Sequence, residues 1–236
     1  WYFKGLYNER ESTNQAAPEP IFLGPEAGTG NAYADNIFIS RTNPYNPFGI
    51  DLISTGPDAN LIFFDRGPIE GGARVFNQEV DTWYIATGFE GNFDLGARKL
   101  YWDLNYANSQ NKAEQTNYGS YNIRRIAQAL GPVDACNADP NCVPLNYFGG
   151  QGAGGGTITP EMLAYIQPII RDSSEQELEL YSANLTGDLF ELPAGALAFA
   201  AGYEYREYSG SYQPDALTVA GEYNGVPSLP TSGEYD

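Results

Sequence analysis

From Val80 to Asn108 the side chains alternate between an oily set and a polar set, and the alternation breaks once, at Asp94-Leu95-Gly96-Ala97-Arg98. Before the break Trp83, Ile85, Thr87 and Phe89 oppose Thr82, Tyr84, Ala86, Gly88 and Glu90. After it Leu100, Trp102, Leu104 and Tyr106 oppose Tyr101, Asp103, Asn105 and Ala107. Successive strand side chains point to opposite faces, so a period of two over about ten residues demands a sheet with two unlike faces. Two long strands joined by a tight turn are expected.

The pattern recurs downstream. Glu177 to Phe190 sets Tyr181, Ala183, Leu185 and Leu189 against Ser182, Asn184, Thr186 and Asp188. A turn at Glu191-Leu192-Pro193-Ala194-Gly195 leads to a strand with Leu197, Phe199, Ala201, Tyr203 and Tyr205 opposite Ala198, Ala200, Gly202, Glu204 and Arg206. Trp1 to Glu11 alternates as well, as the end of a strand rising into a loop. Between these segments the connections are long. Residues 12–58 are rich in Gly, Pro, Asn and Asp, and Asn43-Pro44-Tyr45-Asn46-Pro47 forbids a helix there, because proline restricts the residue before it and removes a donor. Leu61-Ile62-Phe63-Phe64 reads as a short apolar strand. Ile123, Ile126, Ala127 and Leu130 have helical spacing within Tyr121 to Leu130. Thr159, Pro160 and Glu161 signal a second helix start. Residues 213–236 read as loop.

Short turns at one end and long loops at the other fit a transmembrane β-barrel of the outer-membrane type, whose oily face meets lipid and whose mixed face lines the lumen. In lipid only a closed barrel pairs every backbone group of a sheet. A soluble or surface-attached β-rich module, such as a carbohydrate-binding or adhesive domain, satisfies the alternation equally but fits the long connections less well. There is no run of apolar residues long enough for a membrane helix. A net charge of −18 argues against nucleic acid, since phosphate binding needs clustered Lys and Arg. The opening Trp1-Tyr2-Phe3, strand-like and without an initiator Met, suggests a piece of a longer polypeptide.

Candidate chemistry is sparse. With no histidine, neither a Ser-His-Asp nor a Cys-His arrangement exists, so no catalytic residue is assigned and the chain is not read as an enzyme. Cys136 and Cys142 enclose five residues and read as a structural disulfide at a loop tip; two thiols without histidine make a poor zinc site. Oxygens of Asp134, Asn137, Asp139 and Asn141 lack the spacing of a calcium loop. Gly150, Gly152 and Gly155 match a dinucleotide fingerprint only formally, because no strand–helix unit surrounds them. Asn184-Leu185-Thr186 spells a glycosylation sequon inside a strand. No metal or cofactor is assigned. Candidate ligand contacts lie on the mixed face and toward the loops: Tyr84, Tyr101, Asp103, Glu204 and Arg206, with Tyr208 and Tyr212 nearer the loops.

The ordered series Asn43-Pro44-Tyr45-Asn46-Pro47-Phe48-Gly49, Trp102-Asp103-Leu104-Asn105-Tyr106, Cys142-Val143-Pro144-Leu145-Asn146, Thr157-Ile158-Thr159-Pro160-Glu161-Met162-Leu163, Ala183-Asn184-Leu185-Thr186-Gly187-Asp188-Leu189-Phe190 and Gly202-Tyr203-Glu204-Tyr205-Arg206 resembles the middle of the barrel of TonB-dependent outer-membrane receptors of Gram-negative bacteria. The resemblance covers nearly the whole chain. It implies a fragment of a roughly 22-stranded barrel, closed by an N-terminal plug, that imports a scarce nutrient with energy from the TonB complex. The nutrient, whether siderophore, cobalamin, glycan or peptide, is not specified. Plug and TonB box have no counterpart in these residues, so coupling to TonB is expected through an N-terminal part outside them.

Overall fold

A computed structural model describes residues 1–152, 155–225 and 227–236. Its frame is one antiparallel sheet of six strands: β1 (Tyr2–Ala16), β2 (Arg74–Leu95), β3 (Arg98–Tyr118), β4 (Ile170–Leu192), β5 (Gly195–Gln213) and β6 (Thr231–Tyr235). They pair in chain order, so the sheet is an open meander with β1 and β6 at its edges. The fold is therefore all-β and antiparallel. The two expected turns are tighter than the sequence suggested: Leu95 pairs with Arg98 and Leu192 with Gly195, leaving two residues at each tip. Gly96 takes the left-handed backbone at φ +67, a conformation that costs a residue with a Cβ.

Register decides which residues share a face, because directly paired residues of an antiparallel ladder project to the same side. Phe89 pairs with Leu104 and Leu104 with Ala183; Glu90 pairs with Asp103 and Asp103 with Asn184. The oily and mixed sets of both hairpins are thus brought into two continuous faces. A β-bulge between Asp188 and Phe190 takes Leu189 out of the ladder and pairs Phe190 with Leu197. The extra residue breaks the strict alternation from which Leu189 was read.

Three further segments depart from expectation. Ser12 to Ala16 continues β1 against Arg74 to Gln78, with the Thr13 hydroxyl donating to Asn77 Oδ1 at 3.0 Å. Thr231 to Tyr235 is strand, laid on Tyr208 to Tyr212, with the Tyr208 and Tyr235 rings stacked at 5.1 Å. Both are polar, so ladder pairing rather than apolar alternation makes them strands. The short strand near residue 62 is displaced: Phe64–Arg66 pairs with Ile21–Leu23, while Ile62 and Phe63 are exposed.

All long connections leave the end of the sheet opposite the tight turns, and they fold onto one another as a cap. Its apolar core joins Ile21, Leu23, Ile37 and Ile39 of the first connection to Tyr121, Ile126, Leu130, Leu145, Tyr147 and Ile166 of the second. The cap helices are α1 (Ala32–Asp35), α2 (Ile123–Leu130), α3 (Val133–Asn137), α4 (Pro160–Ile166) and α5 (Ala216–Val219). The two expected helices, α2 and α4, both form: α4 starts at the expected cap, Thr159, which accepts from Met162 N, and α2 is capped by Asn122, which accepts from Arg125 N. Helices α1, α3 and α5 carry no long apolar repeat and were not expected. The third connection is hydrogen-bonded across the other two, with Ile123 N donating to Glu222 O at 2.7 Å and Asn224 Nδ2 to Pro20 O at 3.0 Å. Inside the cap Arg66 and Glu70 form a buried ion pair at 2.5 Å.

Register also sets like charges side by side, since Glu11 pairs with Glu79 and Glu79 with Glu114. Like charges directly opposite destabilise a sheet. Replacing the exposed Glu79 with Lys should raise stability by about 0.2–1 kcal/mol, read as a higher denaturation midpoint with an unchanged slope.

Candidate functional site

The seven residues proposed as ligand contacts all fall on one face of the sheet, but in successive rows rather than in one cluster. Asp103 is the best connected. Its Oδ1 accepts from Asn105 Nδ2 at 2.5 Å and from Asn184 Nδ2 at 2.8 Å. Asn105 in turn accepts from the Tyr2 hydroxyl at 2.8 Å and donates to Ser182 Oγ at 3.2 Å. The network therefore spans β1, β3 and β4. Close packing makes it possible: a Cβ on Gly88 would lie 2.4 Å from the Tyr2 ring, and one on Gly202 would lie 2.6 Å from Asn184 Oδ1.

Glu204 and Arg206 are bound chiefly to each other, at 2.6 Å, and the Arg206 guanidinium also donates to the Tyr208 hydroxyl at 3.4 Å. Tyr101 is exposed and borders an open polar groove of about 430 Å³ together with Glu90, Asn92, Asp103 and Thr186. Tyr84 is half-buried and lies several rows away. A groove of this kind can hydrogen-bond a polar solute and offer it one aromatic face. Tyr2, Ser182 and Asn184 were missed as site residues. Their signal was present in the parity of each strand, but reading it required the register.

The opposite face is chemically distinct. Phe89, Leu104, Ala183 and Tyr203 line a shallow apolar groove. Above them Tyr106, Tyr181 and Tyr205 form a row with ring centroids 4.9 and 6.5 Å apart. The Tyr106 and Tyr181 hydroxyls both donate to Glu179 Oε1, at 3.0 and 2.7 Å, so each ring has an oily side and a polar tip. Beyond the row, toward the cap, stand Glu175, Glu177, Glu179 and Glu207.

In the cap, Cys136 and Cys142 form the expected disulfide, with Cα atoms 5.3 Å apart. Asp139, inside the clipped loop, accepts from Asn141 N and Gln128 Nε2, both at 3.0 Å. Among the described residues no group of three His, Cys, Asp or Glu side chains gathers as metal ligands would. Ala153 and Gly154, within the glycine tract, lie outside the described residues.

Glu19 marks the junction of sheet and cap. It is buried, accepts a hydrogen bond from the Ser120 hydroxyl, and its carboxyl is raised above the ordinary 4.5 mainly by burial, against the opposing Ser120, Arg74 and Asn224. A carboxyl with a raised folded-state pKa binds its proton more tightly in the native state. The stability it lends is complete below the ordinary value and is lost as pH rises through the raised one. Thermal melts should therefore fall from pH 4.5 toward neutrality in the native protein, and Glu19→Gln should flatten that fall; an unchanged slope would remove Glu19 as its source.

No family model, no curated protein and no solved structure matches this chain.

Proposed function

We propose that this chain forms part of the wall and the external cap of a transmembrane β-barrel in the outer membrane of a Gram-negative bacterium. In this reading it belongs to a TonB-dependent receptor that takes up a scarce nutrient. The observation that carries the reading is the two-sided wall. One face is an apolar field bounded by a tyrosine row and then by carboxylates; the other is a connected polar network. About 9–11 tilted residues of strand cross a bilayer, and the oily rows from the tight turns to the tyrosines are of that extent. Aromatic rings with one wet end favour the membrane–water boundary. The open edges of β1 and β6 are then continued by further strands of a roughly 22-stranded barrel, since unpaired backbone groups are not tolerated in lipid. The partners are outer-membrane lipid on the oily face, the nutrient on the polar face, and the TonB complex through an N-terminal part.

Trp102 tests the placement. It lies on the oily face beside Gly91, where a Cβ would meet the indole at 2.8 Å. In the complete barrel, with Trp1, Trp83 and every tryptophan outside this chain changed to Phe, the fluorescence of Trp102 should be strongly quenched in vesicles of brominated lipid. A monodisperse, cooperatively unfolding protein in plain buffer, with no quenching, would replace this reading with a soluble β-rich binding module. Nutrient uptake by a deletion strain, nutrient by nutrient, then tests the transport part.

A further inference from the structure

The cap holds an open cleft of about 570 Å³ whose lining includes Arg124, Arg125, Asp139, Asn141, Glu161 and Tyr165. This volume is within the range of small-molecule sites, roughly 300–1,000 Å³. Three elements supply charges of opposite sign. Helix α2 brings two adjacent guanidiniums, conspicuous in a chain with 12 basic residues against 30 acidic ones. The disulfide-clipped loop and the first turn of α4 bring two carboxylates.

Each arginine is anchored at one point. Arg124 Nε lies 2.8 Å from Glu222 Oε1. Arg125 donates from Nη1 to Tyr165 O at 2.9 Å and sits 5.6 Å from the centre of the Tyr165 ring. Among the described residues neither guanidinium has a further hydrogen-bond partner, so most of both forks is available to a carboxylate, the group their geometry matches. Asp139 is fixed by its bonds from Asn141 N and Gln128 Nε2, and the first of these chiefly holds it below the usual carboxylate range. Glu161 is held low by its own backbone N–H and by the Thr159 hydroxyl. Both are anions at neutral pH; Asp139, which also takes hydrogen bonds from the Asn141 and Tyr165 side chains, offers chiefly its charge, while the exposed Glu161 offers charge and lone pairs. The Cys136–Cys142 bond clips the loop that carries Asp139, so the acidic side is pre-organised.

We propose that this cleft binds a short zwitterionic peptide, with its carboxylate on the Arg124 and Arg125 forks and its ammonium group toward Asp139 and Glu161. A simple anion would meet the two acids, and a neutral sugar would leave both charge pairs unanswered. The lining lies entirely in the cap, so the inference stands apart from the membrane reading.

Calorimetric titration of the full chain with dialanine tests it, with N-acetylalanine and alaninamide as probes lacking one charge. Dialanine should bind at least about three- to tenfold more tightly than either. Arg125→Lys, which keeps the charge and loses the fork, should weaken dialanine and N-acetylalanine together. Glu161→Gln should weaken dialanine and alaninamide while leaving N-acetylalanine unchanged. Glu161 is exposed, so this second variant decides the matter if Arg125→Lys does not fold. Absence of dialanine binding, equal binding of all three probes, or indifference to Glu161→Gln would each overturn the proposal.

Discussion

Arg66→Leu should cost about 3–5 kcal/mol of cap stability, the usual penalty for removing one partner of a buried ion pair. Arg66 Nη1 donates to the carbonyls of Asn146 and Tyr147 at 3.0 and 3.1 Å, and Nη2 meets Glu70 Oε1 at 2.5 Å. The residue thus ties the segment after Phe64–Arg66 to two distant pieces of the second connection. Burial pushes the Glu70 carboxyl up, but backbone N–H donors and Arg66 together hold it below its usual range. Without the arginine that anion loses this cationic partner and is left to backbone N–H donors such as those of Thr157 and Ile158. Amide exchange across α2 and α4 should accelerate, because both helices share the core that the pair closes. Changing Arg66 and Glu70 together to Met should restore most of the loss, since a well-packed apolar pair often replaces a buried ion pair at little cost. A double variant as unstable as Arg66→Leu would place the loss in the two carbonyl bonds instead.

The second large effect separates the two environments of the wall. Leu104 lies between Phe89 and Ala183 on the oily face and is half exposed on the isolated sheet. Arg at that position should cost about 2–4 kcal/mol if the face meets the middle of a bilayer. It should cost almost nothing if the face meets water, where an exposed Leu-to-Arg change is usually within about 0.5 kcal/mol. Thr186→Arg is the matched control, because Thr186 pairs with Tyr101 on the polar face. Folding of the complete barrel into lipid vesicles, followed by the gel shift of the heat-resistant folded form, should fail or weaken for Leu104→Arg and proceed for Thr186→Arg. Equal behaviour of the two variants would remove lipid from the oily face.

The wall was legible in the sequence because its information is local. Trp83, Ile85, Leu100, Trp102 and Leu104 each declare a face by parity alone, and Gly96 declares a turn. Polar strand segments were not legible. Ser12 to Ala16 and Thr231 to Tyr235 carry no alternation, and they are strands only because a neighbouring ladder offers them partners. The cap was largely invisible for a related reason. Ile21, Tyr121 and Tyr147 look like isolated apolar residues among glycines and prolines, yet the Tyr147 hydroxyl donates to Ile21 O at 2.8 Å across 126 positions of chain. The helix start at Thr159 was readable, since a cap is made within four residues, and the spacing of Ile123, Ile126 and Leu130 marked the other helix; the packing that gives those helices a purpose was not. At the polar face, Asp103 was identified while Asn184 was set aside as part of a sequon. Only the pairing of β3 with β4 makes them neighbours.

The long-range composition of the cap core also dictates an order of assembly. Its two main pieces, near residues 21–39 and 121–166, are too far apart in sequence to find each other cheaply, because closing long loops precedes any reward from the contacts they make. Zipping of β1 onto β2, β2 onto β3 and β3 onto β4 carries their roots to the same end of the sheet and removes that entropy cost in advance. The wall is then the nucleus and the cap the late event: variants in the β2–β3 ladder should slow folding, whereas variants such as Arg66→Leu should act mainly by hastening unfolding. Until the ladder is complete, Ile21, Leu23, Ile126 and Leu130 have nothing to bury against, so an unzipped chain is the form most exposed to aggregation.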